Sequence, residues 1–281
     1  MSSILTNNSA MVALQTLKSI NSNLAKTQNE VATGKSISSA KDNAAIWAIS
    51  KVMETDQSAF KAIQSNLNTA TAVVSTGLAG AEQITTLLQE MKDLATGVAS
   101  DGNEYSKVNA DIQAKKDQIS AVINASQLNG VNLLRTNPVP GQTDYTVLAS
   151  LDRTMGTVET DKVAITVESI DFEADIQAVD ITEVTDRASA LEALEEIEAL
   201  IDVAIVGAAT LGTANKRISD QSNFVSKLTD ALTNGIGALV DADMEAASAR
   251  LQALQTQQQL GIQALSIANQ APAAILSLFR G

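Results

Sequence analysis

The chain has 281 residues, a formal net charge of −13, and neither histidine nor cysteine. Without imidazole and thiol groups it is a poor candidate for most hydrolases and metalloenzymes, although carboxylate, Lys or Tyr chemistry stays open. No basic stripe indicates a nucleic-acid partner, no run of 18 apolar residues predicts membrane insertion, and no secretory signal opens the chain. These features by themselves favour a cytoplasmic protein.

Composition favours long helices that pack closely. Aromatic residues make up 2% of the chain and hydrophobic residues 45%, so the apolar content is mostly Ala, Leu, Ile and Val. Three prolines leave most of the chain free to be helical. Residues 152–202 hold fifteen acidic and three basic side chains, whereas the two ends of the chain are nearly neutral. Neutral segments suit packing against copies of themselves, and an acidic segment suits exposure to solvent.

The first element in chain order is a helix over residues 1–34. It carries apolar residues on a 3-4 spacing, which places them on one helix face as in a coiled-coil seam. The same spacing recurs in residues 247–281, so the two ends are predicted to pair. The residues of these two stripes are Ala10, Leu14, Leu17, Leu24 and Val31 at one end and Ala247, Leu251, Leu254, Leu265 and Ala268 at the other.

A connector and two further helices follow the first helix. Gly34–Asp42 is rich in Gly and Ser and breaks the apolar period, so it reads as the connector. From Ile63 to Val98 the 3-4 spacing resumes, which predicts a straight helix of roughly 50 Å. A break at Ser100–Asn103 precedes a shorter helix that extends from Val108 to Val122.

The middle of the chain changes character. Asn129-Gly130 and the segment Pro138–Gly141 are turn signals. Tyr145–Leu151 and Val163–Val167 alternate and favour β-branched residues, so they predict a small sheet or a pair of hairpins. Residues 168–186 are acidic and ambiguous.

Helical spacing returns near Ser189 and continues to Leu239. Three polar residues interrupt this seam one heptad apart, and polar seam residues lower stability while fixing register. Gly235 and Gly237 are expected to form a looser joint before the last helix. The interrupting residues are Asn215, Ser222 and Thr229.

The predicted fold class is therefore mainly α: a long antiparallel helical bundle or coiled coil with a small β-hairpin region, in which the N- and C-terminal helices pair. The predicted domains are the terminal helices, 1–45 and 240–281, and a helical rod, 46–239, with its β region at about 130–185. The terminal helices are expected to form the inner, polymerising domain.

Three candidate sites have plainer interpretations. Asp171–Asp175 carries alternating carboxylates, but Ile176 and Thr182 stand where a calcium-binding EF-hand loop needs Gly and Glu. The carboxylates of Glu192–Glu198 are typical of the wet face of a helix, and Trp47 of a single buried anchor. We therefore predict no catalytic residue, cofactor or metal site, and a protein that is not an enzyme.

Three motifs resemble those of bacterial flagellins. Thr33–Ala45 is similar to their S-[ST]-G-x-[RK]-I-x-[ST]-A-x-D-[DN]-A-A stretch. Ser126–Leu134 is similar to [TS]-x-[FY]-N-G-x-x-L-L, with Leu128 in place of the aromatic residue. Ala268–Pro272 and Leu276–Arg280 are similar to the A-N-Q-x-P and L-S-L-L-R elements of the flagellin C-terminus.

The resemblance implies a structural subunit of the flagellar filament that polymerises through its terminal helices. It also implies secretion to the extracellular flagellum by the flagellar export apparatus, with an export chaperone and a filament cap as partners. A hook–filament junction protein and a secreted helical effector or adhesin remain alternatives. The expected polymerisation interface consists of Leu14, Leu17, Leu24, Val31, Leu251, Leu254, Leu265 and Ile275.

One segment departs from the family pattern. Flagellins that Toll-like receptor 5 detects carry Q-R-[IV]-R-E-L on the long central helix, and the first Arg inserts at the receptor contact. The segment here contains Gln89, Glu90, Lys92 and Leu94, so Glu90 reverses the charge at that contact. The resemblance therefore implies weak recognition by the receptor and an intact filament.

Overall fold

The computed structural model of the protein describes residues 7–101, 104–139, 141–151 and 163–278, with residues 100–101 and 271–278 described by their backbone alone. This part of the chain is mainly helical. Its elements in chain order are α1 (Asn8–Thr33), α2 (Ala44–Asp101), α3 (Tyr105–Ala125), β1 (Asp144–Leu148), β2 (Ala164–Glu168), a π-helical turn (Glu173–Gln177), α4 (Arg187–Val240) and α5 (Met244–Leu278).

Helix α1 has a defined start and a defined end. The Asn7 side chain accepts a hydrogen bond from the Ala10 backbone N–H at 3.0 Å, which satisfies one of the free donors of the first turn. At the other end, Gly34 takes the left-handed conformation (φ 69°) and its N–H donates to the Glu30 carbonyl. The predicted first helix is confirmed over Asn8–Thr33, as is the connector after it, whereas residues 1–6 of the prediction lie outside the described part.

Helix α2 is longer than the sequence pattern predicted. It begins at Ala44 rather than near Ile63 and has 58 residues, about 87 Å at 1.5 Å per residue. The Asn43 side chain caps its start by accepting from the Ala45 and Ile46 backbone N–H groups. Residues 44–62 lack the strict apolar period, but they contain no Gly or Pro, so nothing in them ends a helix.

Residues 58–230 form one compact unit, in which α2 and α4 run antiparallel. The buried residues of α2 keep the 3-4 spacing that the sequence predicted. Two polar rungs cross the seam: Gln64 donates to the Ser222 hydroxyl, and Asn215 donates to the Ser75 hydroxyl at 3.3 Å. These rungs join specific positions of the two helices and so help to fix their register.

The predicted looser joint at Gly235 and Gly237 is wrong. Helix α4 continues through both residues to Val240. A Cβ at Gly235 would lie 2.9 Å from the Met53 methyl carbon, and one at Gly237 would lie 2.7 Å from an Asp241 carboxylate oxygen. These glycines allow close packing inside a continuous helix, which the sequence pattern cannot distinguish from a helix break.

The predicted β region is confirmed as a small antiparallel sheet. Strands β1 and β2 pair with Tyr145 opposite Val167 and Val147 opposite Ile165. The strand predicted over 145–151 ends earlier, at Leu148, and the connection between the strands includes residues 152–162, which lie outside the described part.

Two glycines, one in each long helix, allow a loop to pack closely against the helix backbone. A Cβ at Gly80 of α2 would lie 2.2 Å from the Ser126 hydroxyl oxygen, where the loop after α3 crosses. A Cβ at Gly207 of α4 would lie 2.6 Å from the ring of Phe172, which is fully buried. The buried Asn132 ties the first loop down, because its side chain donates to the Ile123 carbonyl and accepts from the Leu134 N–H.

The acidic segment 168–186 contains the π-helical turn and extended coil. Asp171 accepts hydrogen bonds from the Thr136 hydroxyl and the Ala174 N–H, and Glu173 forms an ion pair of 3.0 Å with Arg135. The guanidinium of Arg135 lowers the pKa of Glu173. Within the described residues no group of three or more acidic side chains could hold a metal ion.

Helix α4 is long and apolar enough, by length and composition, to cross a membrane. The sequence contains no unbroken run of 18 apolar residues and therefore predicted no such helix. Core helices of soluble proteins satisfy the same criterion, and one face of α4 packs against α2 through buried residues such as Ile197, Leu211 and Ile218.

Candidate polymerisation interface

The two ends of the chain belong to a second compact unit, residues 1–57 and 231–281, called the terminal unit below. Its helices α1 and α5 run antiparallel. The Asn7 side chain donates to the Ala268 carbonyl at 2.7 Å, and the Gln258 side chain donates to the Asn21 side chain at 2.7 Å. The predicted pairing of the terminal helices is confirmed.

The face that α1 and α5 share contains most of the predicted interface residues. Leu24 and Leu254 are buried. Gly261 lets the helices approach closely, since a Cβ there would lie 3.1 Å from a Leu17 methyl carbon. Four further predicted residues are half-buried: Leu17, Val31, Leu251 and Leu265.

Two predicted interface residues lie elsewhere. Leu14 points away from this shared face and is 57% exposed. The side chain of Ile275 lies outside the described residues. The predicted set therefore mixes residues that join α1 to α5 with at least one that faces solvent in the single chain.

The terminal unit leaves much of its apolar surface uncovered. Among the described residues it holds ten of the sixteen exposed large apolar side chains but only five of the forty buried apolar ones. Two paired helices have too few neighbours to cover both of their faces. Exposed apolar surface on this scale indicates a surface that another protein covers.

Helix α5 carries a second apolar stripe, which the sequence analysis missed. Its residues recur at 3-4 spacing, with the polar Thr256 and Gln257 interrupting the series between Ala253 and Leu260; they lie on a face different from that of Leu254, and all are exposed. Counting alanines at a shifted 3-4 spacing would have found it. This outer stripe of α5 consists of Ala246, Ala249, Ala253, Leu260, Ala264 and Ile267.

Charge is divided sharply between the two units. The terminal unit has seven basic and seven acidic residues, whereas residues 58–230 have twelve basic and twenty-five acidic ones. The whole net charge of −13 is therefore carried outside the terminal unit. Helix α5 has only Glu245 and Arg250 as charged residues, so its outer stripe can be buried without desolvating a charge.

Comparison with known proteins decides the family. Profiles described as the bacterial flagellin N-terminal and C-terminal helical regions match residues 4–137 and 194–279. A flagellin of Brucella melitensis is 40% identical over 288 residues, covering all of both chains, and flagellin FljK of Caulobacter vibrioides is 37% identical, covering all of this chain and 99% of its own. The chain belongs to the bacterial flagellins. A solved Bacillus cereus flagellin is 23% identical with a TM-score of 0.49, covering 57% of this chain and 88% of its own.

Membership of this family gives the function at a coarse level. The chain is a structural subunit that self-polymerises into the bacterial flagellar filament, and it is exported outside the cell. The junction-protein and effector alternatives are not favoured, because full-length relatives over the whole chain are flagellins.

The segment 89–94, which stands where related flagellins carry the receptor-contact motif, lies on the surface of α2. Gln89 and Glu90 are exposed and Leu94 is half-buried. Glu90 forms an ion pair with Lys115 of α3, and Lys92 forms one of 2.7 Å with Glu198 of α4, which raises the pKa of Lys92. The buried seam residues of α2 nearby are separate from these side chains, so the segment can vary without disturbing the helix packing.

Proposed function

We propose that this flagellin polymerises through its terminal unit and that two sets of residues in the unit have different tasks. Leu17, Leu24 and Leu254 hold α1 to α5 within one subunit. Leu14 and the outer stripe of α5 pack against terminal helices of neighbouring subunits. In domain terms, residues 1–45 and 240–281 are the polymerising domain and 46–239 the rod.

One observation carries the proposal: exposed apolar side chains are concentrated in the unit that has no net charge. A subunit must pack many times against identical copies, and like charges at such contacts are costly. Non-closing contacts between different surfaces of identical subunits give an open helical polymer. The residues outside the terminal unit repel one another through their excess acid and keep the assembly soluble.

Truncation tests the proposal directly. Removing residues 1–40 or 250–281 is expected to leave a soluble, helical monomer that forms no filaments, because each truncation removes one partner of the α1–α5 pair. Circular dichroism and electron microscopy after seeding measure the two properties, with the full chain as the control. Filaments like those of the full chain from both truncations would overturn the proposal.

We extend the proposal to the partners that handle the subunit before assembly, by analogy with the family. The apolar surface of the terminal unit needs a cover before polymerisation, and an export chaperone supplies it. The flagellar export apparatus then secretes the chain, and a filament cap guides its insertion. Cells that lack the export apparatus are expected to keep the subunit inside, whereas its appearance in their medium at normal levels would contradict this extension.

The proposal also includes weak recognition by Toll-like receptor 5. Glu90 is exposed and paired with Lys115, so a receptor site built for an Arg would meet a carboxylate. Losing the hydrogen bonds of an Arg fork and placing a charge of the opposite sign in its position costs several kcal/mol, and 1.4 kcal/mol is already tenfold in affinity. In reporter cells the monomer is expected to signal weakly, Glu90→Arg to signal more strongly, and the control Glu90→Gln to lie between them. Strong signalling by the unmodified protein would contradict the idea.

A further inference from the structure

Two connectors that lie far apart in the sequence pair in the terminal unit. The Ser36 N–H donates to the Val240 carbonyl at 2.7 Å, and the Ala242 N–H donates to the Gly34 carbonyl at 2.9 Å. Lys35 and Asp241 stand opposite each other between these bonds, as in a short antiparallel ladder. Residues 34–36 and 240–242 are called the connector clamp below.

The clamp is joined rigidly to the helices on both sides. Gly34 belongs to the C-cap of α1, because its N–H donates to the Glu30 carbonyl. On the other strand, the Asp241 N–H donates to the Gly237 carbonyl of α4. Only Asp243 then separates the clamp from α5, and its side chain caps α5 by accepting from the Glu245 and Ala246 N–H groups. The last turn of α1 and the first turn of α5 therefore have fixed positions relative to each other.

The remainder of the α1–α5 pair offers little that fixes its register. Apart from the buried Thr27 and the close contact of Gly261 with Leu17, its shared face consists mainly of aliphatic side chains, which keep their seam positions after a shift of one heptad. Two side-chain hydrogen bonds cross the described pair away from the clamp, from Gln258 to Asn21 and from Asn7 to the Ala268 carbonyl. A long apolar pair with so few polar contacts needs a register constraint from elsewhere.

We infer that the connector clamp sets the axial register of α1 against α5, and thereby fixes the level of Leu14 on α1 relative to the outer stripe of α5 for contacts with neighbouring subunits. The inference rests on the proposed function. It makes Ser36 and Ala242 positioning residues for assembly, although neither belongs to the exposed stripe. Helix pairing then proceeds from the clamp toward the chain ends.

The backbone bonds carry this role more than the nearby ion pairs do. Lys35 Nζ lies 3.1 Å from a Glu54 carboxylate oxygen, and Lys51 pairs with the other oxygen. These side chains are partly exposed, and exposed ion pairs contribute little because solvent screens them. The critical changes are therefore those that remove a backbone donor and leave the side chains nearly as they are.

The test removes one donor at a time and reads the register directly. Ala242→Pro deletes the N–H that donates to the Gly34 carbonyl. Ala242→Ser keeps the donor and is the matched control. If Ala242→Pro fails to fold, Ser36→Pro is used instead, with Ser36→Ala as its control. Ser36→Pro removes the N–H that donates to the Val240 carbonyl, the other backbone bond of the clamp.

Register is measured by thiol cross-linking, for which the chain offers a cysteine-free background. Asn21→Cys with Gln258→Cys reports the native register, and Asn21→Cys with Leu265→Cys reports a shift of one heptad. The critical concentration for seeded polymerisation is measured in parallel on variants without cysteines.

The expected result is that Ala242→Pro lowers the native cross-link, raises the shifted one and raises the critical concentration about fivefold. That factor corresponds to one lost hydrogen bond of about 1 kcal/mol. Equal cross-linking and assembly by Ala242→Pro and Ala242→Ser would overturn the inference, as would loss of both cross-links with helix content intact. The cross-links read register in the monomer, so they still decide the inference if the truncations show that assembly does not use the terminal unit.

Discussion

A charge on the outer stripe of α5 should stop assembly without harming the monomer, and Leu260→Asp tests this. Leu260 is 58% exposed in the single chain, so an Asp there stays in water until a neighbouring subunit arrives. The free energy of unfolding of the monomer should change by less than about 0.5 kcal/mol, as for other surface substitutions.

The effect on the filament follows from the surface that remains to be buried. Full burial of a Leu side chain is worth about 1.5–3 kcal/mol, so the exposed half of Leu260 contributes about 1 kcal/mol. Desolvating an unpaired carboxylate at the same place adds a further cost of several kcal/mol. A total of about 3 kcal/mol or more raises the critical concentration about a hundredfold or prevents polymerisation.

Seeded polymerisation followed by sedimentation measures the critical concentration. Gln259→Asp is the matched control, because it adds the same charge one residue away and off the stripe. Leu254→Asp is the contrasting variant: Leu254 is 8% exposed, so its change should destabilise the α1–α5 pair in the monomer as well. If Leu260→Asp polymerises at the concentration of the full chain, its stripe faces solvent and the reasoning is refuted.

Three further predictions concern packing, pH and salt. Gly80→Ala should lower the free energy of unfolding by about 1–3 kcal/mol in denaturant titration, because its Cβ would meet the Ser126 hydroxyl. The control Gly97→Ala, which has open space around it, should not lower it. Equal effects of the two substitutions would contradict the close packing of the loop against Gly80. Lys51 and then Lys35 lower the pKa of Glu54, so its stabilising contribution is present above about pH 4.3 and lost as the pH falls through the lower folded value. The melting temperatures of the full chain and Glu54→Gln should therefore converge in acid, and a constant difference would refute this. Raising NaCl should lower the critical concentration by screening the acidic unit, and no response to salt would count against repulsion between subunits.

The long helices could be predicted because their seams repeat strictly. The 3-4 spacing of Ile63–Val98 and of Ile197–Ile236 recurs in the buried residues of α2 and α4, whereas Leu239 at the end of the predicted series is 37% exposed. The start of α2 could not be predicted from spacing, because residues 44–62 are held in the helix by a cap at Asn43 and by the absence of a breaker.

Glycine shows the limit of local patterns more clearly. Gly34 ends a helix, whereas Gly235 lies inside one, and the sequence around each gives no decisive difference. What separates them is the tertiary neighbour: Gly34 has open space where a Cβ would stand, and Gly235 packs against Met53. Such information exists only after the chain has folded.

The pairing of the terminal helices could be predicted from the sequence, but the faces that the pairing leaves exposed could not. Leu24 and Leu254 belong to the apolar 3-4 spacing of the two ends, and the structure buries both of them in the contact between α1 and α5. The outer stripe escaped notice because alanines dominate it, and alanine contributes weakly to an apolar pattern. Distinguishing the two stripes requires knowing which one the partner helix already covers.

An electron cryomicroscopy reconstruction of filaments grown from the purified protein tests the central claim most directly. The account predicts that α1 and α5 pair within each subunit and that Leu260 and Ile267 are buried against helices of neighbouring subunits. A reconstruction in which these two side chains face solvent while the contacts between subunits lie within residues 58–230 would contradict it.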